Sequence, residues 1–197
     1  KALRTIQQIN LPVIDATRRV LGVIRPTAEC IGEITRSRHV GILATAGTIK
    51  SESYLLEIHK LSPDIVVTGE ACPMWVSLVE NNEYQSEGAD YFVKQHINRL
   101  LDKDPMIDTI ILGCTHYPLL LDKIRQFTPG HIRIIAQGEY VARSLQDYLN
   151  RHPEMDARCE KGGKCRFLTT ESESKFEESA SIFLGRQDIK VESIALE

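Results

Sequence analysis

No stretch of this chain stays apolar for anything near about 18 residues, so no segment reads as a membrane span. Positive charge is just as scattered. With 24 Lys and Arg against 27 Asp and Glu the net charge is −3, and no basic cluster is long enough for a nucleic-acid footprint. The start carries neither a secretory leader nor a methionine. Lys1-Ala2-Leu3-Arg4-Thr5 reads as the middle of an amphipathic helix, with Leu3, Ile6 and Ile9 at helical spacing, and further sequence upstream is expected. Cysteines number five, an odd count that suits free thiols in a reducing cytoplasm. Cys159 and Cys165 stand too far apart for a common zinc knuckle, and no second pair or nearby His completes four ligands. They read as loop thiols, and no metal is expected. There is no glycine-rich nucleotide loop, no His-Glu-x-x-His and no Gly-x-Ser-x-Gly, so no cofactor is evident.

The stretch Ile110-Ile111-Leu112-Gly113-Cys114-Thr115-His116-Tyr117-Pro118 organises what is there. An apolar run from Ile107 to Leu112 reads as a buried strand. Gly113 breaks it, and Leu119, Leu120, Leu121 and Ile124 begin a helical face. Such a turn lies at the carboxyl edge of a sheet, where open α/β sheets bind ligands. Earlier in the chain, residues 2–9 read as a helix that Asn10-Leu11-Pro12 stops, and Val13-Ile14 as a short buried strand. A turn at Asp15-Ala16-Thr17 follows, then a helix over about 27–36. His39–Ala44 is a strand ending in Thr45-Ala46-Gly47-Thr48, and Ser51 begins a helix. Asp64–Thr68 is a strand, Trp75–Val79 a short helix reaching Glu80, and Tyr91–Leu101 a longer one. Ile132–Ala136 is a strand, and Tyr140–Leu149 a helix. Residues 150–164 read as a polar surface loop. Arg166–Thr170 is a strand, Lys175–Leu184 a helix with Phe176 and Phe183 inward, and Val191–Leu196 a closing strand. Alternating strands and helices mean an α/β fold with parallel sheet, and continuous apolar strands mean both faces are covered.

Chemistry concentrates at two strand edges. Cys114 is either a small core residue or a thiol poised beside backbone amides and an imidazole, which stabilise thiolates. His116 either moves a proton or caps the following helix. Thr45 and Thr48 suit a carboxylate ligand, although hydroxyls are common at helix starts. Glu80, from pattern alone, is a solvated helix end. A cysteine-centred small-molecule site results.

Gly113-Cys114-Thr115-His116-Tyr117-Pro118-Leu119-Leu120 resembles the C-terminal catalytic signature of bacterial glutamate racemases. Ile42–Ser51 is similar to that family's Thr-x-x-Thr loop, and Glu70-Ala71-Cys72-Pro73 through Glu80 to the segment ending in its functional Glu. The resemblance implies two similar three-layer α/β domains with mostly parallel sheets, facing across a cleft. Residues 21–135 would form the second, carrying Cys114, while 1–20 and 136–197 would belong to an incomplete first. It implies interconversion of L- and D-glutamate without pyridoxal phosphate, metal or other cofactor, supplying D-glutamate for peptidoglycan in cell-wall synthesis. Two cysteines would flank the α-carbon, one removing the proton and the other delivering one to the opposite face. Cys114 would be the C-terminal acid/base, His116 its assistant and Glu80 a support. Thr45, Thr48 and Thr115 would bind glutamate. The Asp-Ser-Gly, Pro-Tyr-Gly and Cys-Asn-Thr-Ala loops of the family, the last with the first catalytic cysteine, are not in these residues, and Cys30 and Cys72 do not stand in a matching context. The 197 residues alone are therefore expected to be inactive. The resemblance also implies a small-molecule partner, a cytoplasmic enzyme and an optional homodimer. An aspartate or hydantoin racemase, a non-catalytic ligand-binding α/β module and a cysteine hydrolase are the competing readings.

Overall fold

The computed structural model describes residues 2–195. Contacts divide the chain into two compact units, Lys1–Gln146 and Asp147–Glu197.

The first unit opens with α1 (Ala2–Thr5), a π-helical turn (Ile6–Asn10) and α2 (Leu11–Asp15), run together. This corrects two expectations. Pro12 does not stop the helix, because it falls in the first turn of α2, where its missing N–H is not needed. The wider π turn before it takes up the change in register. Val13 and Ile14 are helical rather than a buried strand, and are 86% and 78% exposed. The expected turn at Asp15 is present. The Asp15 carboxylate accepts from the Thr17 N–H at 2.9 Å and from its hydroxyl at 2.6 Å.

The rest of the unit is a wound sheet. Its elements are α3 (Ile24–Ile34), β1 (His39–Ala44), α4 (Ala46–Ser51), α5 (Ser53–Leu61), β2 (Val66–Ala71), α6 (Pro73–Glu80), α7 (Glu87–Lys103), β3 (Thr109–Leu112), a 3-10 turn (Tyr117–Leu120), α8 (Leu121–Phe127) and β4 (Arg133–Ala136). The strand order is β2-β1-β3-β4, and every pair is parallel. The α/β expectation therefore holds, with α3 starting earlier and β2 running later than the sequence suggests. The helix expected from Ser51 is α5, starting at Ser53, while the expected turn after Thr45 is itself a short helix, α4, set off from α5 by Glu52 at a left-handed φ of 54°.

Side chains alternate across a strand, so β1 serves two layers. Val40, Ile42 and Ala44 pack with Ala28 and Ile31 of α3 and with Tyr54 and Ile58 of α5. On the opposite face Gly41 lies under α7. A Cβ there would come within 2.7 Å of Leu100 Cδ2, so only glycine admits the helix this close. All four residues of β3 are buried.

In chain order α9 (Gly138–Arg151) carries the backbone from one unit into the other. The second unit continues with α10 (Pro153–Asp156), β5 (Phe167–Thr169), α11 (Glu173–Leu184) and β6 (Val191–Ser193), with β5 and β6 paired in parallel. The expected loop over 150–164 contains α10. Phe183 is half-buried, but Phe176 is exposed rather than inward. Its ring meets that of Phe167 at 6.4 Å, a pair formed near the surface because this unit offers little core to enter. The closing strand stops at Ser193, and Leu196 lies outside the described residues.

Candidate functional site

Because the strands are parallel, their carboxyl ends share one edge of the sheet. The chain leaves β1 for β2 on one side and later returns to β3 on the other. The crevice at such a reversal is where open α/β sheets take their ligands. Thr45 follows β1 and Gly113-Cys114 follows β3, so the two candidate edges are neighbours at this point.

Gly113 sets how close they come. Its N–H donates to the Leu43 carbonyl at 2.8 Å. A Cβ would lie 2.9 Å from Ala44 Cβ and 3.1 Å from the Tyr54 ring. The backbone then turns through Cys114 and Thr115 into the 3-10 turn, which begins after His116. Cys114 Sγ lies 3.7 Å from His116 Nδ1. His116 Nε2 lies 2.7 Å from Glu80 Oε1 at the end of α6. A thiol, an imidazole and a carboxylate thus form one chain of contacts. With a carboxylate on Nε2, the nitrogen facing the sulfur is free to accept or return a proton. Glu80 is half-exposed, yet it is not merely a solvated helix end.

Thr45 caps α4. Its hydroxyl accepts from the Thr48 N–H at 3.4 Å and lies 3.0 Å from the Thr48 hydroxyl. The two threonines form a polar pair at the end of β1. Thr115 is exposed on the turn between Cys114 and His116. The structure therefore joins Cys114, His116 and Glu80 directly, and joins Thr45 to Thr48.

Cys72 follows β2 on the same edge but is fully buried. Burial, and then the Glu70 charge, push its thiol well above the usual range. It is a protonated core residue. Cys30 is also raised, by burial first and then by Glu29 and Glu33. Neither resembles a poised thiolate. All five cysteines are free thiols, and among the described residues no group of three or more His, Cys, Asp or Glu could hold a metal ion. No helix among them is long and apolar enough to cross a membrane.

Four contributors escape a reading of the sequence. Gln137, just past β4, donates from Nε2 to the Leu112 carbonyl at 2.9 Å and accepts from the Thr27 hydroxyl at 3.3 Å. It fixes the strand end from which Cys114 hangs. Tyr54 packs beside Gly113, and burial pushes its phenol up to about 12, eased by a bond with Gln137 and reinforced by Cys114. Tyr117 donates to the Cys72 carbonyl at 3.0 Å. Glu70, buried at the end of β2, is bound by His96 at 2.9 Å and by Lys103 at 2.6 Å. Burial alone would raise the Glu70 carboxyl, but those two bonds and charges hold it below the usual range. Tyr117 and Glu70 lay inside the strings that carry the family resemblance but without a role there, and Gln137 was signalled only by its place just beyond β4.

The family pattern described as Asp/Glu/Hydantoin racemase matches residues 5–145. A glutamate racemase of Streptococcus suis is 39% identical over 177 residues, 90% of this chain and 66% of the relative. The chain thus spans just under two thirds of that relative's length. Among solved structures, a glutamate racemase from Bacillus anthracis superposes with a TM-score of 0.83 at 33% identity, covering 98% of this chain and 70% of that one. Another, from Francisella tularensis in complex with D-glutamate, gives 0.79 at 26% identity, covering 100% and 72%. The chain belongs to the Asp/Glu/hydantoin racemase family.

Proposed function

We propose that this chain carries one acid/base half of a glutamate racemase, with Cys114 exchanging a proton with the substrate α-carbon. The observation that carries the reading is the Cys114–His116–Glu80 chain of contacts at the reversal point of the sheet. As thiolate, Cys114 takes the α-proton, the C–H pair is left on carbon, and the thiol forms. In the reverse direction the thiol returns the proton. His116 exchanges protons with Cys114, and Glu80 orients the ring. The α-proton of an amino acid is far less acidic than a thiol, so charge developing on the carboxylate side needs donors already in place. Thr45, Thr48 and Thr115 supply hydroxyls and amides there. The Francisella tularensis relative holds D-glutamate, which supports the same substrate here.

Inversion needs a second acid on the opposite face. Among the described residues, Cys114 is the thiol set beside a proton-carrying partner. The 197 residues alone are therefore expected not to racemise glutamate, and the full-length natural protein to do so. We place D-glutamate supply to peptidoglycan, in the cytoplasm, as the physiological role. Five free thiols suit that compartment. We further propose that residues 21–135 form one domain, since the four-stranded sheet lies within it except for Ala136, the last residue of β4, with 1–20 and 136–197 in the other. A homodimer completes the proposal, to be read by sedimentation.

The test is the washing-in of solvent deuterium at the glutamate α-carbon, followed by NMR on the full-length natural protein. Exchange with Cys114 present and none with Cys114→Ser supports the reading. Unchanged exchange in Cys114→Ser sinks it. Exchange of aspartate in preference to glutamate moves the substrate elsewhere in the family.

A further inference from the structure

We propose that Tyr117 is a positioning residue for the Cys114–His116–Glu80 chain, holding α6 so that its far end presents Glu80 to His116. The inference rests on the acid/base reading above and adds a residue to it. The loop that carries Cys114 touches α6 twice. His116 meets the helix at its last residue, Glu80, at 2.7 Å. Tyr117, the next residue in sequence, reaches the other end and donates its hydroxyl to the carbonyl of Cys72, the residue that caps α6, at 3.0 Å. One loop thus grips one short helix at both ends.

The Cys72 peptide is where the grip is anchored. Its N–H donates to the Ala44 carbonyl at 2.8 Å, one residue before Thr45. Its carbonyl takes the Tyr117 hydroxyl. The backbone of a single residue therefore ties the loop after β1 to the loop after β3 through the loop after β2. The Tyr117 ring is fully buried and packs edge-on against Trp75 in the first turns of α6, with centroids 4.8 Å apart. Burial, followed by the nearby Cys72 and Cys114 thiols, raises the Tyr117 phenol far above its ordinary value. The hydroxyl keeps its proton and remains a donor. The α6 helix is only two turns long, and Cys72 at its cap makes no side-chain capping bond. With so few bonds of its own, its direction depends on outside contacts. Losing the Tyr117 bond lets α6 pivot, and the displacement is felt at Glu80, where His116 is oriented.

The experiment measures alkylation of Cys114 by iodoacetamide against pH, read by peptide mass mapping on the purified protein. This readout needs no turnover. Exposed Cys159 serves as internal reference, and buried Cys72 reports loss of folding. Tyr117→Phe is compared with Glu80→Gln and with the double variant. The expected result is that Tyr117→Phe changes the Cys114 profile several-fold in the same direction as Glu80→Gln. The double variant then changes it no further. Packing without positioning would leave the profile alone. A wild-type profile in Tyr117→Phe, or effects that simply add in the double variant, overturns the proposal while leaving the acid/base reading intact. A wild-type profile in Glu80→Gln overturns both. Should Cys72 become labelled in Tyr117→Phe, Trp75→Phe replaces it. The indole N–H has no acceptor among the described residues, so that change loosens the Tyr117 ring without removing a hydrogen bond. A profile shifted as in Glu80→Gln supports the proposal, and an unshifted one overturns it. Installing 4-aminophenylalanine at position 117, which restores a donor, is expected to restore the wild-type profile.

Discussion

At the scale of single residues, the site depends on one missing side chain as much as on those present. Gly113 lets two strand ends meet, and its neighbours are backbone, a small core residue and a packed aromatic ring. None of these yields easily. Gly113→Ala is expected to cost about 1–3 kcal/mol, as overpacking does, and to slow labelling of Cys114 in the folded state. Urea titration followed by tryptophan fluorescence reads the first, with Trp75 as the single reporter. The same sequence string that announced Cys114 and His116 also contained Tyr117, but nothing in it said where the phenol would reach. Its partner is a backbone carbonyl far away in sequence, and a carbonyl has no signature among residue letters. Gln137 escaped for the same reason. Cys72 could be set aside from its context, and its complete burial now supplies the physical reason.

Among elements, the loop before β1 and the start of β3 are joined through Asp108. Its carboxylate accepts from the Thr35 hydroxyl at 2.6 Å and from the Arg36 and Ser37 N–H groups at 2.7 Å each. Burial raises this carboxyl, but the bonds from Thr35, Ser37, Thr109 and Arg36 outweigh it and hold it well below the usual range. A depressed folded value means the stabilisation is complete above the unfolded carboxylate value of about 3.9. It is lost as pH falls from there toward the lower folded value. Asp108→Ala is expected to cost about 3 kcal/mol at neutral pH, the scale of charged hydrogen bonds left unmade. Its deficit against wild type should shrink below about pH 4, which denaturant melts across pH would show. A helix with a strong period and strands that run continuously apolar were legible in sequence, as α7, and β1 and β3, show. Val13-Ile14 was not, because two apolar residues carry no period, and the neighbouring proline reads as a stop even where it sits harmlessly in a first turn.

Taken whole, the molecule holds its core unevenly. In the first unit β1 and β3 are buried almost throughout. In the second, Ile189 and Val191 are the buried apolar residues among those described, while Leu168, Phe176, Ile182 and Leu184 are exposed. Local stability follows buried contact, so the two should open separately. Amides of β3 are expected to exchange with solvent slowest, and those of β5 and β6 orders of magnitude faster. Hydrogen exchange read by mass spectrometry checks this, and equal protection in both would count against it. Composition and alternation sufficed to read the α/β class. The break at Gln146 was invisible because it falls inside one continuous amphipathic helix.

The strand order has a consequence for how the molecule is made. β1 is synthesised first and ends in the middle of the sheet, and its partner β2 follows at once. Its other edge must wait for β3, which leaves the ribosome only after α6 and α7. During that interval a largely apolar strand carries an open row of amides, the kind of edge that recruits stray chains. The place where the thiol will later sit is therefore an aggregation-prone seam of the nascent chain. Emergence of β3 is the event that closes it.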